Sequence, residues 1–290
     1  MTATLFLEQT LNGIQFGLML FLLAAGLTLV FGIMDMINLA HGSLYMIGAY
    51  LMASIAQATG SFWAALPLAL LATALVGAAL EMAVLRRLYE RDHMTQVLAT
   101  FALILIANEV VRIIWGSQPI MLNGPAGLAG PVELPGGIQY ASYRLAIIGI
   151  GLLVAVLLYF LVAKTKVGML VRAGASNRTM VQVLGVDVSR LFAVVFSLGA
   201  ALAAFSGMLS APVSSVYPGM GEQILIISFV VVVIGGIGSI KGALVGAMLI
   251  GLADTFGRVL LPEFAGFVVY ALMAVVLLWR PQGLFGHPSR

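Results

Sequence analysis

The chain has 290 residues, of which 62% are hydrophobic and 9% charged, and it contains no cysteine. Soluble domains carry about 25% charged residues, so an aqueous fold is excluded; the missing thiols exclude disulfides and thiolate chemistry. The formal net charge of +3 does not point to nucleic acid, because the basic residues are confined to loops between apolar runs, where they set membrane topology.

The N-terminal MTATLFLEQT lacks the positive region of a signal peptide, so the first apolar run reads as a retained span. Apolar runs fall at 10–34, 42–56, 62–85, 94–115, 144–163, 191–211, 223–237, 242–260 and 266–279. They are continuous rather than alternating, which favours helices over a barrel. The expectation is an all-α polytopic membrane protein, one transmembrane domain over 1–290, with eight or nine crossings. Three runs are short enough for half-helices or re-entrant segments.

Basic residues give the direction. Arg86, Arg87 and Arg91 share one loop, Lys164, Lys166, Arg172, Arg178 and Arg190 another, Lys241 a third, and Arg280 and Arg290 the tail. With nine crossings these eleven fall on one side and only Arg112, Arg144 and Arg258 on the other. The positive side is cytoplasmic, which puts the N-terminus outside and the C-terminus inside.

Two places interrupt the oil without ending it. The first is GIMDMINLAHG (32–42), bearing Asp35, Asn38 and His41 and followed by SLYMIGAY with Tyr45; the second is IGGIGSIKGALVGAM (234–248), bearing Gly235, Gly236 and Gly238. Paired glycine-interrupted segments suggest unwound backbone along a transport path; tight turns flanked by small-residue packing are the plainer reading. His41, with no nearby His or Cys, is weak as a metal ligand and reads as a hydrogen-bonding residue or helix cap. Glu81, near a span end, can snorkel. Glu109 with Arg112 and Asp254 with Arg258 can pair on their own helices.

Two segments between spans stand out. Residues 116–143 hold four of the ten prolines and read as an irregular, turn-rich external loop. Residues 164–190, KTKVGMLVRAGASNRTMVQVLGVDVSR, form a basic segment suited to a short helix outside the membrane and facing a soluble partner. The chain carries no P-loop, HExxH, CxxC, GxSxG, potassium-filter motif or arginine ladder. No catalytic or metal residues are therefore assigned, and energy must come from another chain or an ion gradient. A gradient-driven transporter binding its ion at Asp35 or Asp254 is the rival class; a membrane enzyme and a channel lack the residues they need.

GLTLVFGIMDMINLAHGSLYMIGAY (26–50), GMLVRAGASNRTMVQVLGVDV (168–188), VVIGGIGSIKGALVGA (232–247) and RPQGLFG (280–286), in that order, resemble the branched-chain amino acid ABC importer permeases of the LivH type. The resemblance implies a transmembrane subunit in the bacterial inner membrane that handles branched-chain or other hydrophobic amino acids; relatives of the same family import urea or short amides. It implies a LivM-type second permease as heterodimer partner, two cytoplasmic ABC ATPases holding the ATP and Mg that this chain does not bind, and a periplasmic substrate-binding protein. It makes Asn38, His41, Gly42 and Tyr45 candidates for the substrate path, with Gly235, Gly236 and Gly238 beside them from the second break. It makes Arg172, Ala173, Asn177 and Gly185 candidates for ATPase coupling.

Overall fold

A computed structural model describes residues 3–89, 91–134, 137–176 and 178–286, the side chains of residue 3 and of 175–179 excepted. The helices are α1 (Ala3–Met34), α2 (His41–Thr59), α3 (Phe62–Ala83), α4 (His93–Trp115), α5 (Ser142–Lys164), α6 (Lys166–Ser176), α7 (Arg178–Val183), α8 (Val188–Ser210), α9 (Met220–Gly235), α10 (Ile240–Leu260) and α11 (Ala265–Trp279). Each of the nine apolar runs lies on one of them. Among the described residues, seven helices are long and apolar enough to cross a membrane, the last counted with the turn before α11; of the helices that carry the apolar runs, α2 and α9 fall outside that set. The protein is an all-α polytopic membrane protein.

Helix starts follow local chemistry. Ser61, Asp92, Asp187 and Ser239 cap α3, α4, α8 and α10, each side chain accepting from a backbone N–H of the first turn, which satisfies a donor the helix cannot. The Thr95 hydroxyl and then its N–H hold the Asp92 carboxyl below its ordinary range. Helix α1 has 32 residues, about 48 Å at the α-helical rise, and forms the buried centre of the bundle, packed on α8, α10, α5 and α9. Lipid tails supply no hydrophobic drive between helices, so contact depends on close backbone approach. A methyl group added at Gly17 would stand 2.9 Å from the Ala247 carbonyl oxygen of α10, and one at Gly26 would stand 2.6 Å from the Gly199 carbonyl oxygen of α8. Helices α3, α4, α5 and α11 form the rim and expose leucine, isoleucine and valine outward.

Contacts sort the connections into two ends. At one end, the Leu85–Leu88 3₁₀ turn shares a cleft with Gln182 and Val188, and α6 meets the end of α1 and the α9–α10 turn. At the other, Arg144 and Tyr140 bond the Asn12 side chain at 2.6 and 3.0 Å, Ile120 pairs with Val216, and Trp115 donates to Ser54.

Two expectations change. Residues 116–143 are not wholly irregular: β1 (Pro131–Leu134) and β2 (Ile138–Ala141) form an antiparallel hairpin with Val132 opposite Tyr140. Ile138 and Tyr140 point inward and Tyr140 docks the hairpin on α1; four-residue strands give too little alternation to register in a sequence. Glu81 does not snorkel. It is 1% exposed and takes both Arg86 bonds, at 3.2 and 3.3 Å, and the Tyr89 hydroxyl at 2.7 Å. Burial and then this carboxylate push the Tyr89 hydroxyl up.

Candidate translocation and coupling site

The two glycine breaks are built differently. At the first, α1 stops because Asp35 turns into the left-handed region at φ +50 while its N–H still bonds Phe31; aspartate tolerates this conformation better than most residues. The next residues, 36–40, run unwound into the bundle rather than away from it. Met36 and Asn38 are fully buried and Ala40 nearly so. Buried irregular backbone needs hydrogen-bond partners from protein, and α4 provides them. Gln96 accepts from the Ile37 N–H at 3.4 Å and Thr100 donates to the Ile37 carbonyl at 3.5 Å. Gln96 is itself held by the Leu88 and Arg91 carbonyls. Neither Gln96 nor Thr100 was marked by the sequence, since a polar residue on an apolar helix does not say which loop it serves.

Asn38 accepts from the Ala40 N–H at 3.1 Å, closing the turn into α2. His41, the first residue of α2, is not its cap. It is fully buried, neither ring nitrogen makes a well-formed hydrogen bond, and the Leu23 backbone lies close to it. A methyl on Gly26 would meet His41 Nε2 at 3.0 Å. Gly42 crosses Gly221 at the start of α9, and Gly207 of α8 crosses Tyr45, in both cases backbone against backbone. Tyr45 also lies beside Ser210. Asn38, His41, Gly42 and Tyr45 thus form one buried node where α1, α2, α8 and α9 meet.

The second break is a tight turn. Gly236 at φ +96 closes α9 by donating to Val232, Gly238 follows at φ +81, and Ser239 caps α10. The tail clamps it: Leu284 and Phe285 donate to the Ile234 and Gly235 carbonyls at 2.8 and 3.0 Å. Gly235 packs on Gly242, and Gly236 on Gly283. Gly235 thus lies at the α9–α10 contact and Gly236 against the tail. Gly238 faces Gly32, whose added methyl would stand 2.8 Å from its Cα.

The basic segment folds as α6 and α7, and it touches both breaks. A cavity of about 580 Å³ is lined by Gly32 and Asp35 from the first, Ile237 and Gly238 from the second, and Val171 and Arg172 from α6. Arg172 donates to the Val162 carbonyl at the end of α5, Ala173 is half-buried, and Gly185 lies exposed at φ +83 between α7 and α8. Asn177 lies outside the described residues. Two pairs elsewhere form on single helices: Arg258 with Asp254 at 2.7 Å and Arg112 with Glu109 at 3.0 Å, as their helical spacing allows, while Glu222 takes a bond from Asn108.

The family described as branched-chain amino acid transport system / permease component matches residues 9–277. The chain is 30% identical to the high-affinity branched-chain amino acid transport system permease protein BraD of Pseudomonas aeruginosa, with 98% of this chain and 97% of that one covered. It is 30% identical to the LivH permease protein of Escherichia coli K12 over 98% and 96%, and 27% identical to the LivM permease protein of Salmonella typhimurium over 91% and 67%. No solved structure gives a significant match. A family match over residues 9–277, with a relative 30% identical across nearly the whole of both chains, leads to one assignment: the chain belongs to the branched-chain amino acid transport system permease family.

Proposed function

We propose that the protein is a transmembrane subunit of an ATP-binding-cassette importer in the inner (plasma) membrane, carrying branched-chain or similar hydrophobic amino acids inward. The observation that carries this reading is the cavity at which α6, the unwound 35–40 segment and the α9–α10 turn meet. A push on α6 from a soluble motor reaches the backbone of the first break through this cavity. That backbone leads directly to Asn38, His41 and Tyr45. The substrate follows that of the relatives, which are branched-chain amino acid transport system permease proteins.

The basic end faces the cytoplasm, the hairpin end faces outward, and nine helices cross or enter the bilayer, so the N-terminus lies outside. This follows from the excess of Lys and Arg at one end. Partners are a LivM-type permease, two cytoplasmic ATPases supplying ATP and Mg, and an external binding protein at the 116–143 face. Each conformational state would be favoured by its own ligand: loaded binding protein outside, ATP-bound motor inside. The chain supplies a path and a lever, and the chemistry of ATP hydrolysis belongs to the partners.

The test is uptake of labelled leucine by proteoliposomes holding the permease pair, with binding protein outside and ATP at the ATPases. Uptake should need all of them. Uptake that continues without the ATPases, driven by a proton or sodium gradient, would replace this reading with a gradient-driven transporter.

A further inference from the structure

A second groove, of about 390 Å³, adjoins the coupling cavity on the outside of the bundle between α5 and α10. It is lined by Tyr159, Val162 and Ala163 of α5, Gly238 to Lys241 at the start of α10, and Arg172 of α6. Two cations flank it. Arg172 is turned back toward the membrane by its bond to the Val162 carbonyl. Lys241 sits over the Tyr159 ring, 5.8 Å from its centroid. Among the described residues neither has a carboxylate within ion-pair distance; Asp35, which lines the adjoining cavity with Arg172, forms no such pair. The positive end of the α10 dipole opens on the same space.

The walls above the cations are apolar and exposed. Val156 and Tyr159 continue up α5; Val245 and Leu249 continue up α10 at the four-residue spacing that keeps them on the Lys241 face. The groove therefore offers two positive charges and an aromatic ring at the end of the bundle, with greasy tracks running toward the membrane middle. That is the shape and charge of a phospholipid: an anionic phosphodiester held by the cations, and an acyl chain lying along the tracks. Basic pockets between spanning helices on the cytoplasmic side are a recurrent form of headgroup recognition.

We propose that this groove binds one anionic phospholipid, with its phosphate between Arg172 and Lys241. The proposal borrows from the function above only the side of the membrane involved, and lipid preference measured in detergent does not depend on that side. A failed topology test and a failed binding test are thus distinguishable. Since Arg172 lines both cavities, a lipid seated here would brace α6 against α5 and α10.

The experiment is native mass spectrometry of the permease pair with its ATPases engaged, in neutral detergent, titrated with phosphatidylglycerol, phosphatidylcholine or glycerol 3-phosphate. Phosphatidylglycerol should be retained in preference to phosphatidylcholine, and glycerol 3-phosphate, which lacks acyl chains, should not compete. R172Q and K241Q should each weaken the preference about fivefold, and together about 25-fold, the effect of one and two basic side chains on an anionic surface. R172K and K241R should keep it, which separates charge from folding. R190Q, altering a guanidinium already paired with Asp187, should leave it unchanged. Equal retention of the two lipids would overturn the proposal, as would competition by glycerol 3-phosphate (a soluble-phosphate site), binding only when the ATPases are removed (a protein interface), or an equal loss in R190Q.

Discussion

Gly26→Ala tests whether the buried node is held by backbone contact between α1 and α8. The added methyl would stand 2.6 Å from the Gly199 carbonyl oxygen, 3.1 Å from the Gly199 Cα and 3.0 Å from His41 Nε2, against 3.4 Å for ordinary contact. Two of the three neighbours are backbone, so α1 and α8 must part by roughly 0.8 Å, the difference between the first of these and ordinary contact. Overpacking costs about 1–3 kcal/mol, and rigid walls place this site at the upper end. Alanine recovers about 1 kcal/mol as the better helix former. The net loss is about 2 kcal/mol. Gly149 of α5 provides the control: nothing lies within 4 Å of its added methyl, so the same substitution there should gain about 0.5–1 kcal/mol. Unfolding by denaturant in detergent reads both. Equal stability of the two variants would refute the close crossing and the node built on it.

Other substitutions probe the basic end. Arg86→Ala should lower the thermal midpoint more than Glu81→Gln, because it leaves the buried Glu81 carboxylate without its cation; equal loss would mean that Glu81 reaches water. The Asp92 carboxyl is depressed from an ordinary value of 3.8, so its contribution is present above that value and lost as pH falls through the lower folded one. A thermal-shift series should therefore show a flatter acid limb for Asp92→Asn than for the parent; parallel limbs would remove the cap. Gly185→Glu places a side chain at φ +83, a strain of about 1–2 kcal/mol. It should leave the bundle monodisperse on gel filtration but cut binding-protein-stimulated ATP hydrolysis, and unchanged uptake would remove this turn from the coupling role.

The sequence revealed what depends on neighbours in the chain. Apolar run length located the spans, and i,i+3 or i,i+4 spacing located the Glu109–Arg112 and Asp254–Arg258 pairs. It did not reveal what depends on distant partners. Nothing local distinguishes GIMDMINLAHG from IGGIGSIKGAL as a re-entrant segment or a turn. The difference lies in Gln96 and Thr100, which support the first, and in Leu284 and Phe285, which clamp the second. Likewise Glu81 looked close enough to a helix end to reach water, but Arg86 and Tyr89 fold back over it. Gly26, Gly207 and Gly221 are ordinary small residues in the sequence; only the crossing of helices makes each a point of backbone contact.

The central claim is that α6 and the unwound 35–40 segment move against each other when the motor binds ATP. The chain has no cysteine, and Asp35 and Met169 are both exposed, so spin labels can be placed at those two positions alone. Pulsed electron–electron distance measurement on the transport-competent complex, without nucleotide and with ATP trapped before hydrolysis, tests the claim directly. The account predicts a distance distribution that shifts on ATP binding and returns after hydrolysis. A single distribution indifferent to nucleotide, in a complex that still transports, would contradict it.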